Sequence, residues 1–454
     1  LTEIRRRGRR VPVVMVTKSE GDSTMHEAIG REVDDYIVKP TSPRQVLSVV
    51  TRLLAGKRLR HERIARDFSA GFGALRNAIS AASSWRDYAE IYPELVEWEL
   101  GLESAGEADL LEILDTLQQD TRRGFCDLVC RRYSDWANEE TADGPPLSVD
   151  VLPEFFRPML TNGEPSMLVI IDCLRLDQWR AMLPLLDPYF DVEQGLHASI
   201  LPTATPFSRN AIFSGLFPDE LEARRPGWYA SGEEAGFNSF EDELLQDHVC
   251  ELAGREVVTH YEKVFTADQG GGMLRRLPGY LTGDSVTALV FGFVDLLTHG
   301  RSESRLIWEV ARDAAALRSL TVTWFERSTA FAALREASSR GVRVLLTTDH
   351  GSIHCNRPAT IYARRDATAN LRYKFGRDLR LEDARTAMLV TDARQLRLPD
   401  RGYNNNYALC RDDCYFVYPT KLREYQSRYR DSFLHGGISP EEMILPVALL
   451  SPKT

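Results

Sequence analysis

The sequence predicts an α/β fold that contains a central, mostly parallel β-sheet. Three apolar, strand-like runs after residue 165 each lead directly into an aspartate, and helical stretches separate these runs. This alternation is typical of a parallel sheet whose strands are joined by crossover helices. The runs and their aspartates are Met167–Ile171 with Asp172, Val286–Val294 with Asp295, and Val342–Thr348 with Asp349.

The composition is typical of a large folded protein. The 454 residues are 43% hydrophobic and 27% charged, and this length predicts about three domains. No run reaches the roughly 18 apolar residues of a membrane-spanning helix, so we expect no membrane span. No apolar stretch follows the basic run Arg5–Arg10, which argues against a signal peptide. The formal net charge of −10 opposes a general role in coating nucleic acids.

Cysteine usage predicts a cytoplasmic protein. The seven cysteines are an odd number without a CxxC pair, which suits a reducing compartment. Cys126 with Cys130 and Cys410 with Cys414 stand four residues apart, and we interpret them as small buried apolar side chains that bind no metal. The chain starts at Leu1 inside an amphipathic helical pattern, so we treat its start as a truncation or a renumbered fragment.

The N-terminal segment, residues 1–56, reads as alternating helices and strands. The apolar runs Val11–Val16 and Asp35–Val38 are typical of strands in a parallel sheet. A helix is expected to begin near Ser42, with Pro43 at its first position.

This segment resembles the C-terminal half of a CheY-like receiver domain. Thr17 matches the family's switch hydroxyl, and Lys39 followed by Pro40 matches its phosphate-sensing lysine. The resemblance implies that Lys39 pairs with an aspartyl phosphate and that Thr17 donates a hydrogen bond to it. The family's phosphoaccepting aspartate would precede Leu1. The alternative is that Thr17 and Lys39 are only polar caps of the strands.

Residues 57–150 are predicted to form a helical linker bundle. Their pattern is mostly helical, and the basic segment Lys57–Arg66 is either a solvated helix face or a signalling linker. The turn signal Asp143–Pro146 precedes the third domain, which we place at residues 151–454.

Aspartates and histidines together predict a metal site. His299 follows Asp295 by four residues, and His350 follows Asp349 directly. Ligands of open α/β sheets bind at the carboxyl ends of the strands, so we expect these side chains to converge with Asp172. Carboxylate and imidazole groups are good ligands for Zn²⁺ or a similar ion. Each residue alone is better explained as a helix cap or a buried histidine, but their joint placement favours metal binding.

Thr205 is the candidate nucleophile. It precedes Pro206 and a helical run to Phe213, so we expect it at the N-cap with proline at the first helical position. The helix dipole and free N–H groups favour an anion there, and a bound metal depresses the pKa of the hydroxyl. Arg209, four residues on, is expected to grip a phosphate oxygen. The alternative is an ordinary N-cap and a surface arginine.

Five motifs occur in the order seen in the alkaline-phosphatase superfamily, which the chain resembles. They are Asp172-Cys-Leu-Arg-Leu-Asp177, Pro202-Thr-Ala-Thr205, Asp295-Leu-Leu-Thr-His299-Gly300, Asp349-His350-Gly351 and His435-Gly436. The segment around Thr205 is similar to the nucleotide pyrophosphatase/phosphodiesterase motif, and Ser208-Arg209 falls where sulfatases carry Ser-Arg. The segment from His435 to Pro446 resembles the end of a PglZ-type domain.

A receiver, a helical middle and a PglZ domain together resemble PorX-type response regulators. The resemblance implies two divalent metal ions, with Zn²⁺ expected and Mn²⁺ as the alternative. The implied ligands are Asp295, His299 and His435 for one ion, and Asp172, Asp349, His350 and Thr205 for the other.

The resemblance also implies an activity and partners. Thr205 would attack phosphorus in a nucleotide or oligonucleotide phosphodiester, and water would hydrolyse the phosphothreonine. Pro206 after the nucleophile, and no further basic residue beside Arg209, favour a diester over a monoester. A phosphomonoesterase or mutase, and a catalytically silent metal-containing signalling module, are the alternatives. The implied partners are a sensor histidine kinase, a sigma factor or other signalling protein, and a second copy in a homodimer.

Two features remain open at this stage. In Arg372–Arg377, alternating basic and aromatic residues suit either a base-stacking and phosphate-binding surface or an exposed strand. His354 is either an extra ligand or a neighbour of the ligands, and we leave it outside the metal set.

Overall fold

The computed structural model describes residues 13–17, 35–138, 143–226, 238–303, 305–364, 367–400 and 405–453. The chain divides into two units, Leu1–Arg76 with Trp98–Asp115, and Asn77–Glu97 with Thr116–Thr454. The described part is mixed α/β with a helical linker region and a central, mostly parallel sheet, so the predicted fold class is confirmed.

The helices and strands follow in chain order. The helices are α1 (Pro43–Ala81), α2 (Trp85–Ala105), α3 (Ala108–Ala137), α4 (Leu176–Leu186), α5 (Thr205–Ser214), α6 (Pro218–Arg224), α7 (Glu241–Ala253), α8 (Ala267–Tyr280), α9 (Phe293–Glu303), α10 (Arg305–Val310), α11 (Ala314–Arg327), α12 (Thr329–Ser339), α13 (Leu422–Tyr429) and α14 (Pro440–Met443). The strands are β1 (Val14–Thr17), β2 (Asp35–Val38), β3 (Ser166–Ile171), β4 (Phe190–Ala198), β5 (Val258–Val264), β6 (Ser285–Phe291), β7 (Arg343–Thr347), β8 (Ile353–Cys355), β9 (Arg357–Tyr362), β10 (Tyr373–Arg377), β11 (Arg380–Leu381), β12 (Ala387–Val390), β13 (Asn405–Cys410), β14 (Cys414–Val417), β15 (Ser432–Leu434) and β16 (Ile444–Pro452).

The first unit contains the parallel pair β1 and β2. Helix α1 begins at Pro43, as predicted. The Gln45 N–H donates to Ser42 Oγ at 3.2 Å, and the Ser42 N–H donates to Gln45 Oε1 at 2.9 Å. This reciprocal capping box satisfies backbone donors that would otherwise lack partners at the helix start.

Helices α1 to α3 account for the predicted helical linker. Their inward faces carry aromatic contacts: the rings of Phe68 and Trp98 pack edge to face with centroids 5.3 Å apart, and those of Tyr88 and Phe125 are also 5.3 Å apart. Such pairs stabilise helix packing beyond simple burial. In the part of the chain that the structure describes, no helix is long and apolar enough to cross a membrane.

The central sheet has six strands in the order β4-β16-β7-β3-β6-β5. Strands β7, β3, β6 and β5 pair in parallel, whereas β16 runs antiparallel to both β7 and β4. All residues of β3 and β6 are buried, as expected for strands covered by helices on both faces. The connecting helices bring the carboxyl ends of β3, β6 and β7 to one edge.

Smaller sheets lie between β7 and β16 in sequence. They have the strand orders β10-β13-β12, β11-β9-β14 and β15-β8. Cys410 and Cys414 belong to an apolar cluster formed with residues of β9, β13 and β14, so they act as buried apolar side chains. They lie on the two strands β13 and β14.

Candidate metal centre and nucleophile

Asp172 and Asp349 follow the two middle strands of the central sheet. Strand β3 ends at Ile171 and β7 at Thr347, and the two strands are parallel neighbours, so their carboxyl ends share an edge. The Asp172 N–H donates to the carbonyl oxygen of Phe291 at 3.0 Å, which ties it to β6. The two aspartates are 3% and 0% exposed, so their carboxylates need charged or hydrogen-bonding partners.

Asp295 lies on a helix instead of directly after a strand. The predicted strand Val286–Val294 is observed as Ser285–Phe291, and α9 begins at Phe293. The prediction ran too long because a short apolar run does not separate the end of a strand from a buried helix start. Asp295 thus occupies the first turn of α9, where the helix dipole favours a carboxylate, and His299 lies one turn later on the same face.

The first cluster of candidate ligands consists of Asp172, Asp349 and His350. One ligand atom from each lies within 4.8 Å of the others. His350 Nε2 is 3.7 Å from Asp172 Oδ1 and 3.9 Å from Asp349 Oδ2. His350 Nδ1 lies 3.1 Å from the carbonyl oxygen of Gly351. Because a carbonyl only accepts, this contact places the proton on Nδ1 and leaves the Nε2 lone pair facing the carboxylates.

Thr205 faces the first cluster from the start of α5. Its Oγ1 lies 3.0 Å from His350 Nε2. The predicted N-cap position is wrong by one residue, because Ala204 is the N-cap and Thr205 is the first helical residue. Ala204 has an extended backbone, and its carbonyl accepts the first helical hydrogen bonds from the N–H groups of Phe207 and Ser208. The hydroxyl still lies in the first turn, where the helix dipole favours an anion.

Thr203 lies in the same loop but is fully buried. Its Oγ1 donates to the carbonyl oxygen of Gly437 at 2.9 Å and accepts from the Gly436 N–H at 3.0 Å. The Thr203 carbonyl oxygen lies 3.3 Å from His435 Nδ1. These contacts agree with the expectation that Thr203 shapes the loop, and they connect it to the segment that carries His435.

The second cluster of candidate ligands consists of Asp295, His299 and His435. His299 Nε2 and His435 Nε2 lie 3.3 Å and 3.6 Å from Asp295 Oδ1, and 3.0 Å from each other. The His435 ring also stacks on His350, with centroids 4.2 Å apart. The two clusters are therefore neighbours.

Burial and neighbouring charges shift the pKa values in both clusters. Burial, reinforced by the charge of Asp349, raises the pKa of Asp172 to about 7. Burial would also raise the pKa of Asp295, but the close approach of His299 and the charge of His435 hold that pKa well below its usual range. Burial next to two other imidazoles lowers the pKa of His435. A neutral imidazole with a free lone pair is the form that binds a metal.

The donor atoms fit divalent ions. Asp172 Oδ1 and Asp295 Oδ1 are buried and lack a well-formed hydrogen bond, and each belongs to a different cluster. A buried carboxylate oxygen without a partner costs free energy, which a bound cation removes. Two carboxylates and one histidine in the first cluster, and one carboxylate and two histidines in the second, are the donor types that Zn²⁺ takes in catalytic sites.

Arg209 is buried among carboxylates. Its Nη1 donates to Asp172 Oδ2 at 2.5 Å and to Asp349 Oδ2 at 3.4 Å, and its Nε donates to Glu241 Oε1 at 2.7 Å. Only 3% of the residue is exposed. This placement argues against the predicted contact with a phosphate oxygen, because three carboxylates already engage the guanidinium group.

Glu241 was not predicted from the sequence. It is 1% exposed and, besides Arg209, accepts hydrogen bonds from Tyr261 and Asn238 and pairs with Lys263. The sequence offered only an acidic residue at a helix start, which is common at surfaces. Asn238 lies three residues before Glu241, but the other partners are 20 or more residues away along the chain, so no local spacing marks the group.

The segment Arg372–Arg377 forms no basic and aromatic surface. Arg372 and Lys374 are 0% and 1% exposed. Arg372 Nε donates to Glu442 Oε1 at 3.1 Å, a second bond joins Nη2 to Oε2, and Lys374 Nζ donates to the Thr368 carbonyl oxygen at 2.6 Å. Arg372 and Lys374 therefore form neither a base-stacking, phosphate-binding surface nor the face of an exposed strand. Their charged groups make buried contacts within the protein instead.

His354 lies outside both clusters. Its Nε2 is 3.0 Å from the carbonyl oxygen of Asp431, and its ring packs against Phe433. It lies on β8, which pairs with β15 directly before His435. His354 thus supports the strand that leads to a candidate ligand, in agreement with its exclusion from the metal set.

Thr17 and Lys39, the two residues of the predicted receiver switch, lie at adjacent strand ends. Thr17 is paired with Val38, the residue before Lys39. Because β1 and β2 are parallel, both positions lie at the carboxyl edge of the pair, where the predicted phosphate switch would need them. The receiver identity and the roles of Thr17 and Lys39 stay predictions.

Comparisons with known proteins agree with this fold. Residues 151–450 match the BREX system PglZ alkaline phosphatase-like domain, so the chain belongs to the PglZ family. Residues 58–137 match the PorX response regulator linker domain. These matches confirm the predicted PglZ domain and PorX-type linker. No curated protein matches the chain.

Solved structures that match part of this chain are distant from it in sequence. Murine ectonucleotide pyrophosphatase/phosphodiesterase 5 is 11% identical, with a TM-score of 0.44 over 63% of this chain and 87% of its own. The human protein is 10% identical over the same shares, also with a TM-score of 0.44. Phosphonoacetate hydrolase from Sinorhizobium meliloti 1021, in complex with phosphonoformate, is 12% identical, with a TM-score of 0.35 over 63% of this chain and 90% of its own.

Proposed function

We propose that the PglZ domain is a metal-dependent phosphodiesterase that acts on nucleotide or oligonucleotide phosphodiesters, with Thr205 as nucleophile. The observation that carries the proposal is the 3.0 Å distance between Thr205 Oγ1 and His350 Nε2. This hydroxyl lies beside a cluster that contains the unpartnered oxygen of Asp172. A hydroxyl at a helix start, next to metal-binding groups, suits covalent phosphoryl transfer.

The two clusters would each hold one divalent ion. Asp172, Asp349, His350 and Thr205 are the proposed ligands of the first ion, and Asp295, His299 and His435 those of the second. When bound, such ions lower the pKa of a coordinated hydroxyl and neutralise charge on the transferring phosphoryl group. Zn²⁺ fits the mixed nitrogen and oxygen donors, with Mn²⁺ as the alternative.

The proposed reaction has two steps, and Thr205 takes part in both. Thr205 Oγ forms a bond to phosphorus while the bond to the departing alcohol breaks, and the proton lost by the hydroxyl balances the charge on the alkoxide. Water then attacks the phosphorus of this threonine-linked diester, the bond to Thr205 Oγ breaks, and the products are a phosphomonoester and the restored Thr205 hydroxyl. Thr203 holds the loop in place through Gly436 and Gly437.

The charge of the site favours a diester. A monoester dianion needs more positive charge in the site than a diester monoanion does. Arg209, the basic residue closest in sequence to Thr205, donates to Asp172, Asp349 and Glu241, so its charge is already balanced within the protein.

The linker match supports a role in two-component signalling. We propose that residues 1–56 are the C-terminal half of a receiver, residues 57–150 a helical linker and residues 151–454 the catalytic domain. A sensor histidine kinase would phosphorylate the receiver, and the output would include dimerisation or contact with a sigma factor or other signalling protein.

Metal analysis combined with two substrates tests the function. Purified protein is assayed with bis(4-nitrophenyl) phosphate and 4-nitrophenyl phosphate, and its bound metal is measured. Bound metal and faster hydrolysis of the diester support the proposal. Faster hydrolysis of the monoester favours the phosphomonoesterase or mutase, whereas bound metal without hydrolysis of either favours the silent signalling module. Absence of metal, with no hydrolysis after addition of Zn²⁺ or Mn²⁺, overturns the proposed enzyme.

A further inference from the structure

We infer that Glu241 is a positioning residue for the first metal site: it holds Arg209 so that one oxygen of Asp172 stays free to bind a divalent ion. The inference rests on the proposed function, because it assumes that Asp172 is a ligand. It concerns a residue of α7 that belongs to neither candidate ligand cluster.

The Glu241 carboxylate is fixed by four donors. Oε1 accepts from Arg209 Nε at 2.7 Å and from Asn238 Nδ2 at 2.6 Å. Oε2 accepts from the Tyr261 hydroxyl and lies 2.7 Å from Lys263 Nζ. Burial opposes ionisation, but the charges of Arg209 and Lys263 lower the pKa of Glu241 overall. Glu241 is therefore a rigid, charged anchor between α5 and β5.

The anchor determines which Arg209 atoms reach Asp172. With Nε on Glu241, the guanidinium group presents Nη1 to Asp172 Oδ2 at 2.5 Å. Asp172 Oδ1, by contrast, has no hydrogen-bond partner and lies 3.7 Å from His350 Nε2. Arg209 thus binds one oxygen of the carboxylate, and the other faces the remaining ligands of the first cluster.

Charge balance makes this arrangement depend on Glu241. Arg209 is buried, and its guanidinium is held by Glu241 on one side and by Asp172 and Asp349 on the other. If the Glu241 charge is removed, only Asp172 and Asp349 of these three carboxylates remain to balance the charge of Arg209. The guanidinium would then compete more strongly with the metal ion for both of them. Loss of such an outer partner typically weakens metal affinity about 10- to 100-fold.

The experiment isolates the first site in the full chain. His299→Ala removes a ligand of the second site, and the affinity for Zn²⁺ is then measured by competition with a chromophoric chelator. Adding Glu241→Gln should raise the Kd of the remaining site about 10- to 100-fold, and Glu241→Asp should recover part of the affinity. Glu243→Gln is the matched control, because Glu243 lies on the same helix with 53% of its side chain exposed, and its Kd should not change.

The outcomes separate this inference from the proposed function. If the His299→Ala parent binds no Zn²⁺, the proposed metal site itself fails. If the parent binds Zn²⁺ and Glu241→Gln binds it equally well, only the role of Glu241 is overturned. Circular dichroism monitors folding. If Glu241→Gln does not fold, the role of Glu241 is tested with Tyr261→Phe, which removes one hydrogen-bond donor to the Glu241 carboxylate. It should raise the Kd in the same direction by a smaller factor, and an unchanged Kd overturns the inference.

Discussion

The imidazole rings of His350 and His435 stack with centroids 4.2 Å apart and planes inclined by 18°. His350 belongs to the first cluster and His435 to the second. The ring of His435 also lies edge to face against His299, at 5.0 Å. The stack therefore brings the two clusters into direct contact, and we expect a substitution of one of the two rings to disturb the position of the other.

A variant that keeps the His350–His435 stack but lacks a ligand of one cluster should lose only the metal ion of that cluster. We expect two ions per chain in the parent protein and about one in His299→Ala, because His299 is half exposed and only the second cluster contains it. Asp349→Ala should also keep about one ion, whereas combined replacement of Asp349 and His350 by Ala should remove metal and activity together. Elemental analysis of undialysed protein measures the ratio. A parent ratio that all these variants retain would contradict the ligand assignment.

Thr205, and not Thr203, should carry the covalent chemistry. Thr205→Ala is expected to keep the fold and most metal affinity but to lose several orders of magnitude in rate, because the attacking oxygen is gone. Thr205→Ser should retain part of the activity. Thr203→Ala, in contrast, removes the buried hydrogen bonds of this hydroxyl to Gly436, Gly437 and Glu442 and should lower the free energy of unfolding by about 1–3 kcal/mol. An active Thr205→Ala enzyme beside an inactive, folded Thr203→Ala enzyme would reverse the assignment.

Local sequence patterns predicted the parts of the site that depend on strand ends. Asp172 and Asp349 were found because each follows a buried apolar strand, and the position of Thr205 followed from the proline-containing helix start. Arg372 was misread because its burial depends on Glu442, which is distant in sequence. Glu241 was missed for the same reason. Partners brought together only by the tertiary fold leave no periodic signal, so buried ion pairs were the least predictable part.

Receiver phosphorylation should change assembly or rate. Lys39 and Thr17 lie at adjacent strand ends, where they would respond to an aspartyl phosphate. Full-length protein treated with a small phosphodonor is expected to differ from untreated protein in mass by light scattering or in diester hydrolysis. The same protein with Lys39→Ala should not respond. Identical mass and rate with and without the phosphodonor would remove the proposed switch.

The Arg372–Glu442 pair should be a major source of stability. Both side chains are fully buried, so Arg372→Leu leaves a carboxylate without its counterion and should cost about 3–5 kcal/mol in the free energy of unfolding. The double variant with Glu442→Gln should recover part of this loss. Arg377→Leu, at the end of the strand that follows Arg372 directly, is the control, because Arg377 is exposed and should change stability by about 0.5 kcal/mol or less. Urea denaturation compares the four proteins, and equal losses for Arg372→Leu and Arg377→Leu would refute the prediction.

His197 should make the folded protein sensitive to acid. The side chain is buried on β4, and its Nε2 lies 3.0 Å from Thr347 Oγ1. Burial lowers the pKa of His197 from 6.5 to about 4. The folded state therefore binds a proton more weakly than the unfolded state. The contribution of the neutral imidazole is fully present above pH 6.5 and is lost as the pH falls from 6.5 through about 4.

The size of this effect can be measured with one substitution. A pKa difference of this size corresponds to roughly 3 kcal/mol at most. His197→Gln keeps a polar group that can reach Thr347 but cannot titrate. In urea denaturation with a metal chelator, we expect the free energies of unfolding of the two proteins to differ by a constant above about pH 6.5. Below it, the parent should lose stability faster than the variant. Parallel curves down to about pH 4 would show that His197 does not contribute to the acid sensitivity.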